Sequence, residues 1–347
     1  MAGAKDEMGR SVMKIGIIGA GRIGRIHAEN IVRHIPRVQI ARIADVAADK
    51  VRDWAKGIGV SQVSASVQDV LSDSEIKAVL VCSSTDTHAD MVVAAAEKGK
   101  HVFCEKPVDL TVTKVKKALA AAAKAGVTLQ VGFNRRFDHN FRRVRDLINQ
   151  GAIGNPHILR ITSRDPAPPP PEYVKVSGGI FLDMTIHDFD MARYLAGSDA
   201  VEVYAKGAVL VDPAIGRAGD VDTAVVTITF QNSCLGLIDN SRKATYGYDQ
   251  RVEVFGSKGA LTCTNDTPTS VVLLNEAGVA GDKPLYFFLE RYHQAFLDEM
   301  NSFFDTVIDR KPCPVGDIDG LKPLLMGLAA KKSVAEGRPV KISEVEG

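Results

Sequence analysis

Long apolar runs are missing from this chain, and so are blocks of one charge. No stretch is apolar and long enough to span a bilayer, and the opening MAGAKDEMGRSV has no apolar centre of the kind a signal sequence needs. A soluble, cytoplasmic protein is therefore expected, with residues 1–12 a lead-in to Met13. Lys plus Arg number 43 against 42 Asp plus Glu, a net charge of +1. The basic residues are scattered, which argues against nucleic acid and against an anionic membrane as partners. Cysteine is also scarce: Cys82, Cys104, Cys234, Cys263 and Cys313 are odd in number, far apart and mostly set in strand-like apolar runs. That pattern speaks against a disulfide framework and a zinc site, so reduced thiols and no metal are expected. No internal repeat is visible.

Core material is what the chain has in quantity. Its 347 residues, 45% hydrophobic and 24% charged, match an ordinary globular composition and exceed what one core usually serves. Two domains are predicted, 13–132 and 133–347, with the last helix, about 318–336, a candidate to pack back on the first.

The run MKIGII (13–18) reads as a buried parallel strand, and GAGRIG (19–24) follows at once. Gly19, Gly21 and Gly24 have the spacing of a dinucleotide fingerprint: a tight turn, a bare approach for pyrophosphate, and close packing of the next helix, 22–34, whose amino end faces the phosphates. A second strand, 38–44, ends in Asp45, 21 residues beyond Gly24, where a carboxylate can take the ribose hydroxyls. Alone, the glycines would be a flexible turn; strand, glycines, helix, strand and acid in order specify a cofactor site. Asp45 would repel a 2′-phosphate, so NAD is the expected cofactor, although Arg22 and Arg42 nearby could serve NADP.

The alternation continues through strand 78–84, helix 87–98, strand 101–105, helix 111–125 and strand 127–133, a parallel sheet with helices on both faces. Ligands bind at the carboxyl ends of such strands. Gly19, Asp45, Ser83 to Thr85, Glu105, Lys106, Asn134 and Arg135 all fall there. Pro107 keeps a regular helix from running through Lys106. Its ammonium could stabilise an alkoxide or simply pair with Glu105.

The stretch GGIFLDMTIHDFDMARYLAG (178–197) reads as one largely buried helix between glycines. Asp183, His187 and Asp190 would form a polar stripe on it. An imidazole beside a carboxylate can exchange a proton near neutral pH, which makes His187 a candidate acid/base. By itself, Asp-x-x-x-His reads more readily as a helix cap with a core histidine, since such short motifs recur by chance.

GAGRIGRIH, STDTHAD, CEKPVDL, VGFNRRFD, GGIFLDMTIHDFDMARYL and YGYDQRVEVFGSKG together resemble the Gfo/Idh/MocA dehydrogenases, and within them the inositol branch. The resemblance runs from Gly19 to Gly259. It implies an N-terminal Rossmann domain and an α+β C-terminal domain, and NAD-dependent oxidation of myo-inositol to 2-keto-myo-inositol. It makes Lys106 the catalytic lysine, Asp183 the substrate-positioning aspartate and His187 the acid/base. It implies cofactor contacts from Gly19, Gly21, Arg22, Ile23, Gly24, Asp45, Ser83, Ser84, Thr85, His88, Glu105 and Lys106, and substrate contacts from Asn134, Arg135, Asp165 and Tyr246. It also implies a homotetramer.

Beyond residue 133 the pattern becomes a helix, 137–149, a strand, 157–163, and DPAPPPPEY, where four prolines favour an extended polyproline segment, either a pocket wall or a plain loop. Strand-like runs at 201–210, 221–230, 234–240, 251–255, 259–263 and 270–274 predict a mainly antiparallel sheet with an open face. Val226, Ile228, Leu235 and Leu237 are expected on that face, available to a homo-oligomer. Helix 286–309 carries Phe288, Tyr292, Phe296, Met300, Phe303 and Val307 at core spacing. Two functions fit: an NAD-dependent dehydrogenase of a polyol or aldose sugar, or a non-catalytic NAD(H) sensor. Lys106, Asp183 and His187 together favour the first, since a sensor needs none of them.

Overall fold

The computed structural model describes residues 12–347; residues 1–11, part of the lead-in read from the sequence, lie outside the described residues. The chain divides into two compact units, one formed by residues up to Asn134 with Gln294–Leu321, the other by Arg135–His293 with Lys322–Gly347. Residues 294–321 thus belong to the first unit, whereas the sequence pattern predicts 133–347 as the second domain with only the last helix, about 318–336, a candidate to pack back on the first.

In the first unit β1 (Met13–Ile18), α1 (Arg22–His34), β2 (Val38–Ala44), α2 (Ala48–Gly57), β3 (Val63–Ser64), α3 (Gln68–Leu71), β4 (Ala78–Val81), α4 (Thr85–Glu97), β5 (His101–Glu105), α5 (Val112–Ala125) and β6 (Leu129–Gly132) follow in sequence. The strands form one parallel sheet in the order β3-β2-β1-β4-β5-β6. Every residue of β4 and β6 is buried, as strands covered on both faces require; β4 is accordingly apolar throughout, while β6 carries one polar side chain, Gln130. The strand order reverses between β1 and β4, the place where such sheets open a crevice at their carboxyl ends. The core runs through Ile15, Ile17, Ala28, Ile31, Leu80 and Phe103 and is completed by Met300, Phe303 and Phe304.

In the second unit come α6 (His139–Asn149), β7 (Pro156–Arg164), α7 (Pro171–Ser177), α8 (Ile180–Asp183), α9 (Thr185–Ala196), β8 (Ala200–Ala208), α10 (Pro213–Arg217), β9 (Thr223–Phe230), β10 (Leu235–Ser241), β11 (Asp249–Gly256), β12 (Gly259–Cys263), the hairpin β13 (Val272–Asn275) and β14 (Gly278–Gly281), and α11 (Phe288–Arg291). Then α12 (His293–Asp309), α13 (Asp317–Glu336) and β15 (Val340–Lys341) close the chain. The first turn of α13, to Leu321, belongs to the first unit and the rest to the second. The large sheet has the order β12-β11-β7-β10-β9-β8-β15. Its pairs are antiparallel except β7 with β10, which run parallel in the register Leu235↔Ile158 to Ser241↔Arg164.

Burial alternates strictly along β9, so a shift of one residue exchanges the faces. Val226 and Ile228, expected on the open face, are 0% and 2% exposed on the covered one. The open face instead carries Ile158, Val225, Leu235 and Phe255, each about half exposed, while Leu237 is intermediate.

Three expected elements are divided or shortened. The helix expected over 178–197 breaks at Met184 into α8 and α9, where the His187 N–H bonds to the Met184 carbonyl three residues back, a tightened turn. The helix over 286–309 breaks at Tyr292, one residue before the chain leaves the second unit. The proline run is extended at Pro170 (φ −57°, ψ 142°), and α7 then starts on Pro171, where a missing N–H costs nothing. Among the described residues no helix is long and apolar enough to cross a membrane. All five cysteines are unbridged.

Candidate active site

In the first unit the glycines have separate duties. Gly19 has φ +93°, and a Cβ there would lie 2.5 Å from the Ser83 nitrogen; at Gly24 a Cβ would lie 2.1 Å from the Gly19 carbonyl oxygen. Both are needed to bring α1 against β1 and β4. At Gly21, the residue preceding α1, nothing lies within 4 Å of where a Cβ would stand. No acidic residue occupies the first turn of α1, so the positive end of the helix faces that open space uncompensated, the condition for binding a pyrophosphate. Arg22 and Ile23 begin the helix beside it.

Asp45 lies just beyond β2. Its carboxylate accepts hydrogen bonds from the Ala20 N–H at 2.7 Å and the Ala47 N–H at 2.8 Å, which ties it to the glycine turn and fixes where it can meet a ribose. These features fit the adenosine and diphosphate of NAD. Ser84 precedes α4, Thr85 starts it, and the Ser83 hydroxyl shares a hydrogen bond with Thr87 at 2.7 Å. His88, expected to touch the cofactor, is buried with Nδ1 at 2.8 Å from the Pro107 carbonyl and Nε2 at 3.0 Å from that of Ser83. Its ring braces the two loops that carry Ser83 and Lys106. Glu105, at the end of β5, has Oε1 2.7 Å from His27 Nε2, so part of its carboxylate faces the interior. Lys106 follows, half-buried, and Asn134 is buried.

In the second unit the parallel neighbours β7 and β10 end side by side. On their covered faces Ser163 and Asn240 succeed apolar residues, and continuing the alternation by two delivers Asp165 and Arg242 together. Arg242, 3% exposed, donates to Asp183 Oδ2 at 3.0 Å and to Asp165 Oδ2 at 3.4 Å. Tyr173 of α7 donates to Asp183 Oδ1 at 2.9 Å. Asp220 accepts from the Ile180 N–H at 2.8 Å and holds the start of α8. It can come this close because Gly179, at φ +82°, has no Cβ, which would sit 2.7 Å from the carboxylate. Thr185 donates to Asn240, and Asn240 donates to Asp188 and to the Ser163 carbonyl, which fastens α9 across β7 and β10. Burial pushes the Asp165 carboxyl up to about 6, the Asp183 charge adding to the rise and Arg242 opposing it.

From Ile180 to Ala192 every residue is buried except Asp183 and His187. They stand on either side of the break at Met184, and this otherwise buried segment opens to the outside only at those two. Asp190, the expected third member of the stripe, is buried and gripped by Arg136 through Nε at 2.8 Å and a second nitrogen.

Arg135 and Tyr246, expected to contact substrate, each have partners within the second unit. Arg135 is 4% exposed, ion-paired to Asp188, bonded to Tyr248 Oη at 3.3 Å and lying over the Tyr292 ring. Tyr246, 40% exposed, donates to Asp249 and accepts from Arg164 at 3.1 Å. Arg242 and Tyr173 were missed. Arg242 could have been found by extending the period of two past Ser241; nothing near Tyr173 announces it.

Residues 13–133 match the oxidoreductase family with an NAD-binding Rossmann fold, and residues 141–262 match the GFO/IDH/MocA C-terminal domain. Myo-inositol 2-dehydrogenase of Thermotoga maritima is 53% identical over 96% of this chain and 100% of its own length. Inositol 2-dehydrogenase of Rhizobium meliloti is 42% identical over 95% and 99%. The structure of scyllo-inositol dehydrogenase from Lactobacillus casei with bound NAD(H) and scyllo-inositol is 31% identical, with a TM-score of 0.89 covering 96% of this chain and 100% of that one.

Proposed function

The chain belongs to the GFO/IDH/MocA oxidoreductases, and we propose that it oxidises myo-inositol to 2-keto-myo-inositol with NAD. The observation that carries the reading is the buried segment that opens only at Asp183 and His187, with Asp183 oriented by Arg242 and Tyr173. His187 accepts the proton of the hydroxyl being oxidised. Asp183, both of whose oxygens are already fixed, uses its remaining lone pairs to set the ring in one orientation. Lys106 stabilises the oxygen as negative charge develops on it. NAD, when bound, supplies the hydride acceptor. Carboxylates at 165 and 183 suit an uncharged polyhydroxy ring and oppose a carboxylate or phosphate substrate, since a hydroxyl left unpaired among such groups costs affinity.

The test is NAD reduction by a panel of inositols, aldoses and 2-hydroxy acids. Activity is expected with myo-inositol, to a smaller extent with a pyranose such as glucose, and not with 2-hydroxy acids. Activity confined to aldoses or nucleotide sugars would sink the substrate assignment and leave the hydride chemistry standing.

The same reading makes the protein a cytoplasmic enzyme of inositol catabolism and a homotetramer. The half-exposed Ile158, Val225, Leu235 and Phe255 on one sheet face support the assembly. Light scattering on the purified protein should return four copies, and a monomer would rule it out.

A further inference from the structure

Glu299, on α12, is 0% exposed, and neither of its carboxyl oxygens has a hydrogen-bond partner. Gln130 donates to its backbone carbonyl at 3.1 Å, which holds the main chain and leaves the acid unserved. Its carboxyl belongs to a cluster with His27 and Glu105 in which one polar atom from each lies within 4.8 Å of the others. His27 is likewise fully buried, edge-on to Phe103 at 5.1 Å and to Phe296 at 5.8 Å, with Nε2 2.7 Å from Glu105 Oε1 and Nδ1 unpartnered. Gly132 makes room for the group: a Cβ there would stand 3.0 Å from Glu105 Oε2.

Two ionised carboxylates this close in apolar surroundings would cost more than the site can offset. A divalent cation is one remedy. Adjacent ligands on a tetrahedral zinc ion stand about 3.3 Å apart, as bond lengths near 2 Å require, whereas His27 and Glu105 are in hydrogen-bond contact at 2.7 Å. A proton is the remedy that fits. We propose that Glu299 is held as a neutral carboxylic acid that turns its proton toward Glu105, so that the cluster keeps one negative charge on the residue preceding Lys106. Glu299 is then a positioning residue acting through Glu105, and this rests on the reading of Lys106 as the catalytic lysine.

Burial pushes the Glu299 acid well above the usual carboxylate range, and the Glu105 charge adds to the rise. The other titratable groups facing the cluster are His27 of α1, Cys82 beyond β4 and Cys104 of β5. Burial raises both thiols, with Glu105 adding to each, so neither adds a charge near neutrality. Because the folded protein holds the Glu299 proton more tightly than the unfolded chain, the resulting stabilisation is complete at acid pH and is lost as pH rises toward the folded-state value.

The experiment compares the wild type with Glu299→Gln, which keeps the shape and a donor but cannot ionise. The two should melt together at about pH 4 and below, and the variant should melt progressively higher, by roughly 3 °C or more, toward about pH 9. The alkaline decline in wild-type kcat/KM should be reduced in the variant. Infrared difference spectra at neutral pH should show a protonated carboxyl band in the wild type that the variant lacks. Equal destabilisation of Glu299→Gln at every pH, absence of that band, or a stoichiometric metal ion in protein purified without chelator would overturn the proposal. Normal turnover in Lys106→Met would instead defeat the functional reading, and the band and the melting curves would still decide the state of Glu299.

Discussion

Arg242 donates to Asp183 Oδ2 at 3.0 Å from a position only 3% exposed, so the orientation of the proposed substrate-positioning carboxylate is set by a buried cation one residue beyond β10. Removing that cation leaves Asp183 and Asp165 facing each other uncompensated. Arg242→Gln should cost about 3 kcal/mol of stability, as broken buried pairs do, and lower kcat/KM at least tenfold, with partial rescue in Arg242→Lys. Steady-state kinetics beside denaturant melts will check this. Full activity in the Gln variant would remove Arg242 from the site.

The raised Asp165 carboxyl makes stability depend on pH. Its folded value of about 6 lies above the unfolded value of about 3.9, so its contribution is fully present below about pH 4 and lost as pH rises through 6. Asp165→Asn should therefore match the wild type in acid and exceed it in stability above neutrality, by at most about 3 kcal/mol for a shift of this size, less whatever solvent screening removes. Urea melts at both ends of the range measure the gap, and a constant difference would contradict the assignment.

Asp45 is bound to the glycine turn by the Ala20 N–H. Asp45→Ser should weaken NAD binding roughly tenfold to a hundredfold, the value of one or two hydrogen bonds to a charged group, and improve NADP by relieving repulsion of its 2′-phosphate. Titration with each cofactor tests it; equal use of both by the unaltered protein would show the ribose assignment to be wrong.

His187→Ala should lower turnover roughly a hundredfold or more while NAD still binds, and the loss of oxidation in acid, where an imidazolium cannot accept a proton, should disappear with the side chain. Lys106→Met should be comparably damaging with an unchanged circular dichroism spectrum, because residue 106 is half-buried beyond a strand end. Near-normal turnover in His187→Ala would return that residue to a structural role.

Much of the first unit could be read directly from the chain. A strand, a glycine turn and a helix are local, and β1, α1 and β2 begin and end where the spacing of apolar residues placed them. Gly19, Gly24 and Asp45 were legible for the same reason, since each is specified by the backbone beside it. Asp183 and His187 could be singled out as a pair by their spacing, but a spacing carries no information about what lies opposite. Only the tertiary structure decided that Asp190 is consumed by Arg136, that Arg135 is consumed by Asp188, and that Asp183 is held by Arg242 and Tyr173. Those partners lie between 10 and 59 residues away along the chain. Arg242 among them is delivered by strand register, in which one residue of slip exchanges the covered face for the open one. The misplacement of Val226 and Ile228 has the same origin, whereas Glu299 was hidden for another reason. Its apolar helical neighbours marked its stretch as core, but burial of the acid depends on α12 meeting the far-separated His27 and Glu105 within the first unit.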